Sequence, residues 1–167
     1  GAVIFYWMLN SPRPYDDDSI TRYFMAQAAW VKPDFILNFW GRPLAILFFL
    51  APAQIGYWYC AAFTAVLTVV TCYFVYKSAV AAGLQNAWLT IIFAIAQPFF
   101  FITSFSLCTE PLAAFFLAWG IYWFYTKNWL GSAIVLSMVP LARSELVLIL
   151  PIFAWLLYKE KKYISIL

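Results

Sequence analysis

Histidine is absent from all 167 residues, and charge is scarce, with ten Lys or Arg and seven Asp or Glu making 10% of the chain. The first absence removes the commonest metal ligand and the usual general base, leaving acid–base chemistry to carboxylates, tyrosines or lysines. The second all but excludes a soluble domain, which carries roughly 25% charged residues. A net charge of +3, dispersed along the chain, implies no nucleic-acid partner. Only Cys60, Cys72 and Cys108 bear thiols. All three lie in apolar segments without a Cys-x-x-Cys pair, so they read as small buried hydrophobes rather than a disulfide framework or metal site. What the chain does have is oil: 66% hydrophobic and 22% aromatic residues, with a mean hydropathy of +0.84. The fold expected is all-α, a polytopic transmembrane helical bundle.

One membrane domain over residues 1–167 is expected. Residues 1–10 form an apolar run too short to span, without the basic start or small-residue cleavage site of a signal peptide, and read as the end of a truncated first helix. Residues 11–56 read as an extracytoplasmic loop with interfacial or re-entrant helices. Ser11-Pro12-Arg13-Pro14 breaks the chain, and Asp18 or Ser19 caps a helix running to about Val31. In that helix Ile20, Phe24 and Ala28 form one apolar stripe. Lys32-Pro33-Asp34 ends it, and a short aromatic piece, Phe35 to Trp40, closes at Gly41-Arg42-Pro43. Leu44 to Ala51 is too short to span before Pro52 interrupts. Residues 57–167 supply about five further segments: Tyr57–Tyr76, Leu84–Ser104 with Pro98 midway, Pro111–Tyr125, Trp129–Val139 and Leu146–Tyr158. The closing run, Ile164 to Leu167, opens another apolar segment, so the chain reads as a piece of a longer protein.

Against this background the stretch from Tyr15 to Tyr23 stands out. Asp16, Asp17 and Asp18 follow one another, flanked by Arg13 and Arg22. One reading is a solvated loop, as charge runs usually are. The other is a site handling a proton, a cation or a polar substrate at the membrane boundary. Counting crossings bears on the choice. Lys77, Lys127 and the Lys159–Lys162 cluster fall on one face. Asp16, Asp17, Asp18, Asp34, Glu110, Arg143 and Glu145 fall on the other, so six of the seven acids share a side. The positive-inside rule places the lysine face in the cytoplasm and the acids on the extracytoplasmic side, periplasmic or lumenal, although Lys and Arg divide five against five.

The order of three motifs carries a resemblance: Asp16-Asp17-Asp18 after a first helix, "TEPLAAFFLAWGIYWF" from Thr109, and "PLARSELVLILP" around Arg143-Ser144-Glu145. It resembles the GT-C superfamily of polytopic membrane glycosyltransferases, which includes protein O-mannosyltransferases, aminoarabinose transferases and the mannosyltransferases of lipid-linked oligosaccharide and GPI assembly. Such enzymes carry an acidic pair in the first external loop, a Ser/Thr-Glu-Pro-like helix start and an Arg-Pro-Glu-like turn. Here three aspartates stand in place of the pair, and Ser144 stands in place of the proline.

The resemblance implies transfer of a sugar from a polyprenyl-phosphate donor, with inversion, to a glycan, lipid or protein acceptor. A carboxylate must take the acceptor's proton and a cation must stabilise the leaving phosphate. Asp17 is the first choice of base, with Asp16 or Asp18 next. Arg143 is the first choice for the phosphate, because its planar fork meets phosphate oxygens bidentately. Its alternative role is a structural pair with Glu145 or Glu110. Arg22 either binds phosphate as well or offsets the aspartates. Glu110 either orients an arginine or sugar hydroxyl or stabilises its helix dipole. Glu145 is a further substrate-binding candidate. Tyr15, Tyr23, Trp30 and Trp40 stack on sugar or prenyl groups or belong to an interfacial belt. No cofactor is expected, since phosphate-linked donors leave without metal in many relatives, although the aspartate oxygens suit Mg²⁺ or Mn²⁺. Two other functions compete: a non-catalytic membrane subunit or scaffold of a larger complex, and a transporter using the acids as a cation site. The transporter calls for mid-span charges and an internal repeat, and neither is present.

Overall fold

The computed structural model describes residues 2–10 and 16–159, apart from the side chains of Phe5 and Met8. The Pro-rich break at 11–14, Tyr15, residues 160–162 of the basic cluster and the apolar run 164–167 lie outside these residues. Every regular element among those described is helical. In chain order they are α1 (Ala2–Asn10), α2 (Asp17–Ala29), a 3₁₀ turn (Pro33–Leu37), α3 (Pro43–Ile55), α4 (Tyr57–Ala81) and α5 (Leu89–Ala96). There follow α6 (Pro98–Thr103), α7 (Thr109–Tyr125), α8 (Trp129–Ser137), α9 (Val139–Ala142), a second 3₁₀ turn (Ser144–Leu148) and α10 (Ile149–Lys159).

Several boundaries differ from expectation, each for a local reason. The cap of α2 is Asp16, not Asp18 or Ser19. Its backbone is extended and its Oδ1 accepts from the Ser19 amide at 2.5 Å, satisfying one of the orphan donors of the first turn. The face of α2 turned into the protein is Ser19, Arg22, Ala26 and Ala29, while Phe24 of the expected stripe is 59% exposed. Small residues allow α2 to lie close to its neighbours. Pro52 does not interrupt α3, which continues to Ile55 and stops where Gly56 takes φ +153°. The helix from Tyr57 runs past Lys77 to Ala81. At about 1.5 Å per residue this is about 37 Å, more than the roughly 30 Å of a bilayer's hydrocarbon core. Among the described residues α4 is the one helix long and apolar enough to cross a membrane.

The segment expected over Leu84–Ser104 is two helices broken at Gln97. Pro98 disfavours the helical backbone of the residue before it; Gln97 accordingly has ψ 112°, and its side chain caps the Phe100 amide. Pro140 likewise opens α9 instead of continuing α8.

Contacts fix the directions of the helices. Thr68 Oγ1 of α4 donates to the Ser104 carbonyl just before α7, and Phe74 meets Phe115, Trp119 and Tyr122 further along it, so α4 and α7 run parallel. The Phe74–Trp119 pair is stacked, with centroids 5.9 Å apart. α8 returns antiparallel to α7: Trp129 packs on Phe124, and Ser132 Oγ donates to the Gly120 carbonyl at 2.7 Å. Gly120 is required here, because a Cβ would fall on the Leu136 side chain. α10 turns back along α8, bringing Phe153 onto Phe124. Helices α4, α7 and α10 thus share a direction. The hydroxyls of Thr64, Thr68 and Thr71 bond to carbonyls one turn back, so α4 buries them without orphaned donors. At the other end, the starts of α3 and α7 meet the turn after α9, and the start of α2 meets the segment that leads into α7.

Candidate functional site

The N-terminal half of α2 is pinned to the connection between α6 and α7. Leu107 N donates to Ser19 Oγ at 3.0 Å, and Arg22 Nη1 donates to the Leu107 carbonyl at 3.4 Å. A serine and an arginine on the inward face of α2 therefore hold the backbone that leads into Thr109 and Glu110. Arg22 Nη2 also meets Asp18 Oδ2 one turn earlier, at 3.2 Å. Arg22 is only 7% exposed, and its Nε is buried without a hydrogen-bond partner.

A second strap comes from the loop before α3. Asn38 Oδ1 accepts from the amides of Trp40 and Gly41, turning the chain. Arg42 then takes φ +61°, a conformation that residues with side chains seldom adopt. Its guanidinium lies 4.7 Å from the Phe39 ring centre and reaches across to the turn after α9. There it donates to Ser144 Oγ at 2.7 Å and to Glu145 Oε1 at 3.1 Å. Gly41 is crowded by Ile46 and Met25, and a Cβ there would meet both.

The third strap is Arg143. Its extended backbone, between α9 and the 3₁₀ turn, sends the guanidinium to Glu110 in the first turn of α7. Its Nε lies 3.6 Å from Glu145 Oε2. Both Arg143 and Glu110 are half-buried, with side chains 33% and 26% exposed.

These straps enclose a cavity of about 270 Å³ lined by Asp18, Arg22, Phe39, Trp40, Arg42, Thr109, Glu110, Arg143 and Glu145. Three arginines face three carboxylates, with two aromatic rings beside them. Hydrogen bonding from the local backbone, followed by the Arg42 and Arg143 charges, holds the Glu145 carboxyl below its ordinary value. Burial first, and then the nearby Asp16 and Glu110 charges, push the Cys108 thiol up. The Ser106 hydroxyl and Arg22 oppose them.

Of the residues singled out from the sequence, Asp18, Arg22, Glu110, Arg143 and Glu145 come together here. Asp16 and Asp17 do not line the cavity. Asp16 is occupied as the α2 cap, with Oδ2 3.6 Å from Cys108 Sγ, and Asp17 is exposed in the first helical turn. Tyr15 lies outside the described residues. Tyr23 packs instead on Phe24 and Tyr57, and Trp30 is exposed. Trp40 does line the cavity. Arg42 and Phe39 were not among the site residues expected from the sequence, and Thr109 figured there only as the opening of the Thr109-Glu110-Pro111 helix start. Arg42 sits in a Gly-Arg-Pro turn, and a charged side chain held between two chain-breaking residues was the available signal. Among the described residues no group of three or more acids and cysteines is gathered to hold a metal.

The chain matches no family model, curated protein or solved structure.

Proposed function

We propose that this chain is a multi-pass membrane glycosyltransferase that moves a sugar from a polyprenyl-phosphate donor to an acceptor on the extracytoplasmic side. The observation that carries the reading is the polar cavity. In a chain this apolar, three arginines, three carboxylates and two aromatics from four separated stretches converge on one 270 Å³ space. Ionisable groups are costly near lipid and are held there for a function.

In this reading α4 crosses the bilayer, while α5–α6, α7, α8–α9 and α10 complete the bundle as further passes, two of them broken. Tyr57 and Trp58 begin α4 at the cavity end, and Phe24, Trp30, Val31, Leu37, Phe39 and Trp40 are exposed nearby. Such a surface suits α2 and the following turn to lie at the interface, where a lipid-held donor presents its headgroup.

The chemistry then divides among the residues. The acceptor hydroxyl attacks the anomeric carbon, and its proton passes to a carboxylate. Asp18 is the carboxylate of the acidic run that lines the cavity, one helical turn before Arg22, where an acceptor hydroxyl could reach it. The bond from the anomeric carbon to the phosphate oxygen breaks, and its electron pair leaves with the polyprenyl phosphate. Arg143, aided by Arg22, meets the charge that develops there. Trp40 offers a face for the sugar.

The second reading, a non-catalytic membrane subunit, is favoured by the ion pairs themselves, since each cavity arginine already has a carboxylate partner. Proteoliposomes supplied with labelled polyprenyl-phosphate sugars separate the two. The transferase moves label to an acceptor and loses this when Arg143 is replaced. No transfer from any donor class would favour the subunit.

A further inference from the structure

Glu145 is placed unlike the other carboxylates of the cavity. Its two oxygens face two different guanidinium groups, Oε1 at 3.1 Å from Arg42 Nη2 and Oε2 at 3.6 Å from Arg143 Nε. One planar oxyanion thus spans a pair of arginines, the arrangement a phosphate takes between two such forks. Its side chain is 57% exposed, against 26% for Glu110 on the far side of Arg143. It sits on a five-residue 3₁₀ turn whose N-terminus has no side-chain cap. Exposed ion pairs of this kind hold weakly, and a short 3₁₀ turn is easily rearranged.

We propose that Glu145 is an internal stand-in for the substrate's phosphate. It occupies the Arg42–Arg143 site while the cavity is empty and is displaced when a phosphate enters. The inference rests on reading the cavity as a phosphate site. Arg42 thereby becomes a second phosphate ligand beside Arg143. A phosphate monoester, the form in which the polyprenyl carrier leaves, has more free oxygens than a carboxylate and carries more charge, so it meets both forks and outcompetes the glutamate. The glutamate in turn keeps two arginines from lying unpaired beside lipid. When displaced, it swings outward from a position already half in solvent, and Arg143 keeps Glu110.

The test is binding of undecaprenyl monophosphate, without sugar, to the full chain in phosphatidylcholine nanodiscs, with inorganic phosphate titrated in a parallel arm. A site blocked by its own carboxylate for nine-tenths of the time shows an affinity lowered about tenfold. Glu145→Gln is therefore expected to bind the lipid phosphate about tenfold more tightly than wild type. Glu145→Asp, too short to reach both arginines, should fall between, and Arg42→Ala added to Glu145→Gln should remove the gain. A gain with the lipid alone assigns the competition to a membrane-held headgroup; a gain in both arms assigns it to phosphate whatever carries it.

Amide exchange in unsubstituted protein reads the same event independently of how the variants fold. Binding should speed exchange over residues 144–148 as Glu145 lets go. Unchanged or weaker binding by Glu145→Gln, or slower exchange over 144–148, would overturn the proposal. If wild type transfers no sugar while Glu145→Gln still tightens phosphate binding, the transferase reading falls and this one stands. If transfer is seen and the affinity does not move, this one falls alone.

Discussion

Arg143 and Glu110 stand 33 residues apart in sequence and form an ion pair that closes the polar end of the α7–α8–α9 unit. α8 and α9 lead back antiparallel to α7, so the residue following α9 arrives beside the first turn of α7. Both side chains are half-buried, and each is the other's principal partner. The pair therefore joins the fold to the proposed chemistry.

Breaking it has separable effects. Glu110→Ala strips Arg143 of its main partner and should lower stability by about 1–3 kcal/mol, measured by thermal unfolding in detergent. Arg143→Ala should lower sugar transfer by ~10²-fold or more, as removal of a donor to a developing oxyanion does. Arg143→Lys should recover little of it, because an ammonium cannot reproduce the planar fork.

Gly120 predicts a purely structural effect. Gly120→Ala places a methyl group on Leu136, which is 1% exposed, and disturbs the bond from Ser132 to the Gly120 carbonyl. A loss of about 1–3 kcal/mol is expected from such overpacking. Leu136→Ala, itself destabilising, should be less so in the Gly120→Ala background, a coupling that a double-mutant cycle of unfolding measurements reads directly.

Glu145 predicts a pH dependence. Its folded carboxyl titrates below the ordinary 4.5, through local backbone hydrogen bonding and the charges of Arg42 and Arg143. Its stabilising contribution is thus fully present above 4.5 and is lost as pH falls through the lower folded value. Wild type should melt above Glu145→Gln at neutral pH, and the gap should close in acid below 4.5. A gap that persists there would show that Glu145 acts through packing instead.

Cys108 reports on sidedness. It precedes α7 at the cavity end, whereas Lys127 follows α7 at the opposite end. In sealed vesicles a membrane-impermeant maleimide should reach Cys108 from the extracytoplasmic side and miss a cysteine placed at Lys127. Because the Cys108 thiol is pushed up, chiefly by burial, labelling should be slow at neutral pH and quicken as pH rises. Labelling of both positions from one side would contradict a bilayer crossing by α7.

The helical class was legible because apolar runs, prolines and glycines punctuate the chain strongly. The start of α7 at Thr109-Glu110-Pro111 was legible for the same reason, since proline suits the first turn of a helix. The convergence of Asp18, Glu110, Arg143 and Glu145 at one end could be anticipated by counting reversals of the chain, which needs only the number of helices between them. Which carboxylate enters the cavity could not. Three consecutive aspartates point around a helix in different directions, and the cap position, which decides the phase, depends on whether Asp16 or Asp18 takes the extended backbone. Arg42 was hidden because its partners, Ser144 and Glu145, lie 102 and 103 residues away. The face of α2 that packs on the protein was not read from the sequence, because its apolar stripe of Ile20, Phe24 and Ala28 is not the face that turns inward. Phe24 turns out, and Ser19, Arg22 and Ala26 turn in.

In the proposed reaction the acidic run at the start of α2 supplies the base for sugar transfer at this cavity. The most direct measurement is the rate of transfer from a polyprenyl-phosphate sugar by wild type and by Asp16→Asn, Asp17→Asn and Asp18→Asn, each confirmed to be inserted and folded. Asp18→Asn should abolish transfer, with a loss of about 10²–10⁴-fold, while Asp17→Asn retains it and Asp16→Asn loses mainly helix stability. Transfer that survives Asp18→Asn would contradict the assignment of the base, and survival in all three variants would remove the acidic run from the mechanism altogether.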